Sequence, residues 1–567
     1  MALEMTDQSA GSVLPLNPLT LSSGAERMFP TLTAAQIERI GTRGIRRSIN
    51  SGEVLIEAGA QIVPFFVITR GRVEVVRPSN RADVLVAVHG PGQFTGEVNM
   101  LSGRPALVRS RALEASEAIE LSREQLMALI QTDSEVSELL MRAFILRRVE
   151  LIARGFGDVV LVGSNYCAET LRVKEFLTRN GHPYSYIDLD RDADVQELLD
   201  RFHVTATDVP VIICRGELVL RNPANRKIAE CLGFNESLDR SQLRDVIIIG
   251  AGPAGLAAAV YAASEGLDTL LVETNFPGGQ AGSSSKIENY LGFPTGISGQ
   301  ALAGRAYTQA RKFGAQMIVA GSARRLVCDN KPYAVEMDDG TRVIARAIII
   351  ASGAEYRVPK IEKLADFKGI GVYYGATFME AQLCRDEEVI VVGGGNSAGQ
   401  AAVFLAQTAK RVHMLVRGKL SESMSRYLIR RIEQNPMIDL RIDTEIVGCE
   451  GGGHLERVRW RDGKTGHIET RDIRHVFLMT GAVPATQWLE DCLALDDKGF
   501  IKTGPDLMPE DLTAARWPLT RHPHLLETSL SGVFAVGDVR SGNVKRVASA
   551  VGEGSIAISF VHKVLTE

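Results

Sequence analysis

Hydrophobic and polar positions change rhythm from one part of the chain to the next. After the polar, proline-dotted opening "MALEMTDQSAGSVLPLNPLTLSSG", short β-prone runs broken by Gly52, Gly59 and Gly71 fill "SGEVLIEAGAQIVPFFVITRGRVEVV". Runs this short, spaced by turn residues, predict an antiparallel barrel or jelly roll. A 3.6-residue rhythm follows in "SREQLMALIQTDSEVSELLMRAFILRRVELIARGF" and predicts helix. Residues 156–236 read strand, helix, strand, helix, strand, strand. From residue 244 onward, continuous apolar runs such as "VIII" lead into glycine-rich turns and helices, as parallel βαβ units do. The predicted fold class is multidomain α/β with an N-terminal β-barrel, and 567 residues suit three to four domains. The predicted boundaries are a flexible tail at 1–26, then domains at 27–150 and 156–236. An α/β domain follows at 244–365 and 480–567, interrupted by a second at 366–479.

Composition narrows the function classes. With 45% hydrophobic and 23% charged residues and a net charge of −4, nothing calls for nucleic acid or a membrane surface. The longest apolar runs are broken by Gly and Pro, which argues against a membrane span, and no charged-then-apolar leader opens the chain. The seven cysteines are scattered and never spaced C-x-x-C, so neither a disulfide framework nor a zinc site is expected, and a reducing cytoplasm fits.

The most informative line is "DVIIIGAGPAGLAAAVYAASEGLDTLLVE". Gly250, Gly252 and Gly255, with Pro253 and Ala254 between them, form a G-x-G-x-x-G turn between a strand and a helix. Glu273 ends the next strand 18 residues on. The glycines allow a tight turn, close approach of a pyrophosphate and helix–strand packing, and the acid accepts from an adenosine ribose. A second unit carries Gly393, Gly395, Asn396, Ser397 and Ala398, but its second strand ends at Val416-Arg417 without an acid. Arg417 favours a 2′-phosphate, hence NADPH over NADH; the bland alternative is a solvated charge at a strand end.

Taken with "GVFAVGDV" at 532–539, residues 244–567 resemble thioredoxin reductase of the low-molecular-weight class over nearly their full length. The resemblance implies a double-Rossmann flavoprotein using FAD and NADPH. It places Gly537 and Asp538 at the ribityl chain, and Lys545, Arg546 and Val547 at the pyrimidine end of the flavin, where the family has Arg-Gln-Ala. Gly279, Gln280 and Asn289 line the isoalloxazine, and Gly353 and Gly481 sit in the crossover strands. A homodimer is expected on the same ground. The family's C-A-T-C-D is replaced by Gly375-Ala376-Thr377-Phe378-Met379, so both thiols and the acid are gone; Glu380 lies one place later and Cys384 six past Phe378. The expectation is that NADPH reduces FAD and that electrons leave by another route. The candidate exits are an unidentified external acceptor such as a small redox protein, Cys167, or oxygen and quinones.

Residues 156–236, which include "DVVLVGSNYCAETLRVKEFLTRNGHPYSYIDLD", resemble thioredoxins and glutaredoxins. Only the first cysteine of their C-x-x-C remains, as Cys167, with Thr170 in the resolving position, and Pro210 matches their cis-proline. Cys167 is either a mixed-disulfide thiol or, the preferred reading, an incidental one in a docking domain. Residues 27–150 resemble the cyclic-nucleotide-binding domain, with Gly96 and Glu97 opening its phosphate cassette. The family's Arg-Ser or Arg-Thr pair falls on Ala106 and Leu107, leaving Arg104 or Arg109 as substitutes only if the register shifts. A nucleotide ligand is one reading; a barrel used for packing, dimerisation or another ligand is preferred. The N-terminal modules are expected to bias rotation between the FAD and NADPH domains. Rival readings are a non-catalytic sensor or scaffold, a ferredoxin–NADP reductase-like enzyme, and thioredoxin-disulfide reduction through Cys167.

Overall fold

The short strands of residues 45–121 pair into two antiparallel sheets. One runs in the order 45–49, 116–121, 65–70; the other in the order 54–56, 109–112, 73–77, 84–89. In this computed structural model the described residues are 25–78, 83–96, 99–153, 159–190, 208–214, 218–235, 239, 241–489 and 492–567. Among them neither sheet closes on itself, so a closed barrel is not formed by the described residues, and two sheets are the arrangement of the other expectation, the jelly roll. The side chains explain the split. Phe65 and Val67 pack with Phe94, Ile119 and the helices Arg123–Thr132 and Ser134–Ala153, while Phe66 and Ile68 face a separate core with Ile49, Leu55 and Val73. Alternation along one strand thus serves two cores. The tail predicted at 1–26 lies outside the described residues as far as residue 24, and so does Glu97.

The chain divides into two units, Met1–Arg154 and Gly155–Glu567. The second unit begins with a four-stranded sheet in the order 218–221, 211–214, 159–163, 185–188, flanked by the helices Ala168–Arg179 and Asn225–Cys231. Next comes a mostly parallel sheet ordered 316–319, 269–273, 243–249, 342–350, 333–337, 323–327, with Val533–Ala535 pairing to 348–350. A third sheet is parallel throughout, ordered 372–373, 475–478, 388–392, 411–416, 438–442. The antiparallel pair Ala354–Tyr356 and Ala482–Pro484 carries the chain between the last two sheets.

The first two sheets of this unit share one hydrophobic core. Val173, Phe176 and Ile228 of the small domain belong to the same cluster as Leu256, Ala262, Ala310 and Met317 of the next. Burial of that joint surface holds the two domains together. No helix among the described residues is long and apolar enough to cross a membrane.

Candidate functional site

The strand Leu243–Ile249 ends at Gly250, whose φ of 102° lies in the left-handed region that favours glycine. A side chain at Gly250 would strike Ala351 O at 2.3 Å, and one at Gly255 would meet Gly250 O at 1.8 Å. Gly252 differs: a Cβ there would meet nothing within 4 Å, because this residue lines a cavity of about 640 Å³. Pro253 starts the helix Pro253–Ser264 that follows. The helix N-terminus, with its unpaired N–H groups and positive dipole end, therefore opens onto the cavity and suits a pyrophosphate.

Glu273, Gly279, Gln280, Asn289 and Gly353 line the same cavity, as do Gly537, Asp538, Lys545, Arg546 and Val547. Glu273 accepts the N–H of Ala251 at 2.7 Å and that of Asn275 at 2.9 Å. Burial pushes its carboxyl above the usual range, while those bonds and the Arg179 charge pull it down. Burial likewise raises Asp538, opposed by Lys545. The Asp538 loop is pinned by Glu553, which accepts from Gly537 N at 2.7 Å and from Arg540 Nη2 at 2.7 Å.

From the second turn only Asn396, Ser397 and Gln400 reach this cavity. Gly393 and Ala398 serve its packing, and Gly395 caps the helix Asn396–Leu405 with open space in front of it. Arg417 is exposed just past the strand Arg411–Val416, and Gly481 begins the return crossover. Sequence reasoning missed Phe276, Tyr356 and Trp488, which also line the cavity. Tyr356 and Trp488 each follow a crossover segment already singled out, and that proximity was the available signal. The empty space before Gly252, the N–H groups and the buried acids fit FAD; the turn beside Asn396 and Ser397 fits a second dinucleotide.

The loop that lacks cysteines lies beside Ser283, next in the chain to the lining residue Ser284. A Cβ at Gly375 would lie 3.6 Å from Ser283 Cβ, an ordinary contact. Thr377 donates both its N–H, at 2.8 Å, and its hydroxyl to Glu380 Oε2. Glu380 thus caps the helix Phe378–Leu383 in capping-box fashion, and burial pushes its carboxyl up. Cys384 is fully buried in the core of the 366–479 domain, and burial pushes its thiol up to about 12. A thiol held protonated is neither a nucleophile nor a ready redox partner.

Cys167 is the N-cap of the helix Ala168–Arg179 and is partly buried. Its end of the helix faces the 366–479 domain: Ala168 neighbours Gly369, and the Tyr166 and His454 rings are 6.3 Å apart. The other end carries Arg179, which donates to Gly279 O at 2.8 Å and Ser283 Oγ at 2.5 Å and lies 3.8 Å over the Phe276 ring. Twelve helical residues span about 18 Å, so the backbone at Cys167 stands that far from the end touching the cavity wall. The bond Val209–Pro210 is cis, as expected.

Cys328 and Cys492, expected from the sequence to be scattered thiols, are bonded, with Cα atoms 6.1 Å apart though they stand 164 positions apart in sequence. Only the tertiary fold joins positions so distant, and spacing could not reveal them. Cys328 follows the strand Ala323–Val327, and Gly321 N donates to Glu273 O at 3.1 Å, so this segment flanks the Glu273 end of the cavity.

In the N-terminal unit Gly96 lines a smaller cavity. Arg109 is paired with Glu57 at 2.7 Å and Asp83 at 3.4 Å, and neither it nor the buried Arg104 is among the lining residues.

Comparison with known proteins places these domains. A family profile described as pyridine nucleotide-disulphide oxidoreductase matches residues 244–554; the cyclic nucleotide-binding domain matches 46–133, and glutaredoxin 159–219. The thioredoxin reductase of Bacillus subtilis (strain 168) is 31% identical over 331 residues, covering 58% of this chain and 97% of its own. That of Mycolicibacterium smegmatis is 33% identical over 328 residues, with 57% and 97% covered. The crystal structure of Lactococcus lactis thioredoxin reductase in its FR conformation gives a TM-score of 0.51 at 28% identity, covering 57% of this chain and 99% of that one.

Proposed function

The chain belongs to the pyridine nucleotide-disulphide oxidoreductase family, and from that premise we propose an NADPH-dependent flavin reductase whose electrons leave without the family's dithiol. It is a thioredoxin reductase-like, FAD-dependent NAD(P)H oxidoreductase. When bound, FAD supplies hydride acceptance and release of electrons in a second half-reaction. The residues of this chain hold and shield it: the 250–255 turn and Glu273 take the adenosine and pyrophosphate, Asp538 the ribityl chain, and Gln280, Asn289 and Lys545 the ring end. Asn396 and Ser397 bring the nicotinamide side of the second turn to the same cavity. Arg417 holds the 2′-phosphate.

One observation carries the exit: Gly375, in the first cysteine position, lies beside Ser283, the chain neighbour of the cavity-lining Ser284, so this loop comes up next to the flavin site without sulfur. An external acceptor docking at the ring end is the reading this supports. Transfer through Cys167 is disfavoured by the length of its helix. The homodimer, carried by the resemblance, and the cytoplasmic setting and control by the N-terminal domains, carried by the sequence reading, are further parts of the proposal. The test is steady-state turnover of the purified holoprotein. NADPH oxidation with ferricyanide and none with thioredoxin plus an aromatic disulfide is expected; thioredoxin-dependent disulfide reduction would overturn the reading.

A further inference from the structure

Two distant stretches of chain meet at the Cys328–Cys492 bond, and each contributes to the wall of the larger cavity. Cys328 directly follows the strand Ala323–Val327, whose first residue lines that cavity. Cys492 comes shortly after the 3₁₀ turn Gln487–Leu489, from which Gln487 and Trp488 line it. Between the two cysteines run both crossover strands and the whole 366–479 domain.

The turn is fastened to itself more than to the strand. Trp488 Nε1 donates to Ala485 O at 3.2 Å, Leu489 N to Thr486 O at 3.0 Å, and Cys492 N to Leu489 O at 2.9 Å. None of these bonds reaches the strand; the sulfur bridge does, together with apolar packing among Leu326, Leu489, Leu493 and Trp488. Apolar packing is non-directional, so the bridge fixes where Gln487 and Trp488 stand on the cavity wall.

Both cysteines are partly exposed, so a small reductant can reach the bond. The reduced state is also provided for. Leu326 O lies 3.4 Å from Cys492 Sγ, an acceptor in place for the thiol that reduction creates.

We propose that Cys328–Cys492 is a thiol–disulfide exchange site for a dithiol reductant, and that opening it weakens the hold on FAD. A thiolate of the reductant attacks one cysteine sulfur and forms a mixed disulfide, while the other cysteine leaves as a thiolate and takes a proton. The reductant's second thiol then displaces the first cysteine, which is protonated in turn. Two electrons and two protons pass to the protein, and the reductant leaves as its cyclic disulfide. With the bridge open, FAD must order the segment carrying Gln487 and Trp488 as it binds, and affinity falls by that cost. The inference rests on FAD occupying the larger cavity and holds whatever acceptor reoxidises the flavin.

Thiol counting and FAD titration of the full-length protein, with dithiothreitol as the reductant, test it. Denatured without reductant, the protein is expected to show five free thiols; after dithiothreitol treatment of the native protein, all seven. Fluorescence titration of the apoprotein is expected to show FAD bound about tenfold more weakly in the reduced form. The double variant Cys328→Ser, Cys492→Ser is expected to bind at the weaker level with or without dithiothreitol, with circular dichroism confirming its fold. Seven free thiols before treatment, only five after it, or a dithiothreitol effect that persists in the double variant would overturn the proposal. Equal FAD affinity in both states would overturn it and leave the flavin reading intact, whereas failure to bind FAD in either state would overturn both.

Discussion

The flavin cavity and the loop at 375–384 are neighbours, yet they are built on different principles. The cavity is shaped by backbone: at Gly250 and Gly255 a single methyl group would collide with main-chain oxygen. The loop is held by side chains, with Glu380 closing its helix on Thr377, and at Gly375 a methyl group would fit at ordinary contact distance. A site shaped by backbone tolerates little substitution, whereas a loop held by one cap can change its chemistry and keep its place. The electron input is therefore fixed by the fold, and the output by residues the fold leaves open.

The largest effect should come from breaking the backbone side of that contrast. Gly255→Val forces the turn apart, and FAD affinity is expected to fall at least about 100-fold, roughly 3 kcal/mol, as read by fluorescence titration of the apoprotein. If Arg417 holds the 2′-phosphate as proposed, Arg417→Ala is expected to raise the KM for NADPH about tenfold and leave that for NADH nearly unchanged. Equal effects on both would make Arg417 a solvated charge.

Arg179→Ala removes a hydrogen bond to Gly279 of the cavity wall, one to the neighbouring Ser283, and the packing over Phe276, from a side chain only 8% exposed. Thermal unfolding is expected to report a loss of roughly 2 kcal/mol, with FAD bound about threefold more weakly, and Arg179→Lys in between. An unchanged unfolding midpoint would show that the small domain does not brace the flavin site. Cys384→Ala should do least. Its thiol, raised to about 12, is protonated in both states below the ordinary thiol pKa, so whatever stability the raised value contributes is lost only as pH climbs toward 12. NADPH kinetics of this variant are expected to match the parent within about twofold from pH 6 to 8.

Backbone-driven features were legible in the sequence because glycine spacing encodes them directly. The 250–255 turn, its following acid and the second turn all lie where their patterns predict. Long-range contacts were not legible. Arg179 reaching Gly279, Glu553 pinning Gly537 and the bond between Cys328 and Cys492 join residues that only sheet order brings together. Between the expected barrel and jelly roll the pattern of short strands did not decide; alternate residues of one strand, Phe65 and Phe66, serve different cores across two sheets. One feature of the loop was within reach of its residues alone. Thr377 and Glu380 have capping-box spacing, and that pattern announces a helix start at a place that otherwise offers only a displaced acid.

The central claim is that this loop provides no redox couple in exchange with the flavin. Anaerobic titration of the holoprotein with NADPH, followed at the flavin's visible absorption band, counts the electrons directly. The account predicts full bleaching at one equivalent of NADPH per flavin, rising toward two only after Gly375→Cys is combined with Phe378→Cys. Two equivalents taken up by the unaltered protein, and still by a variant carrying Cys328→Ser and Cys492→Ser, would contradict it.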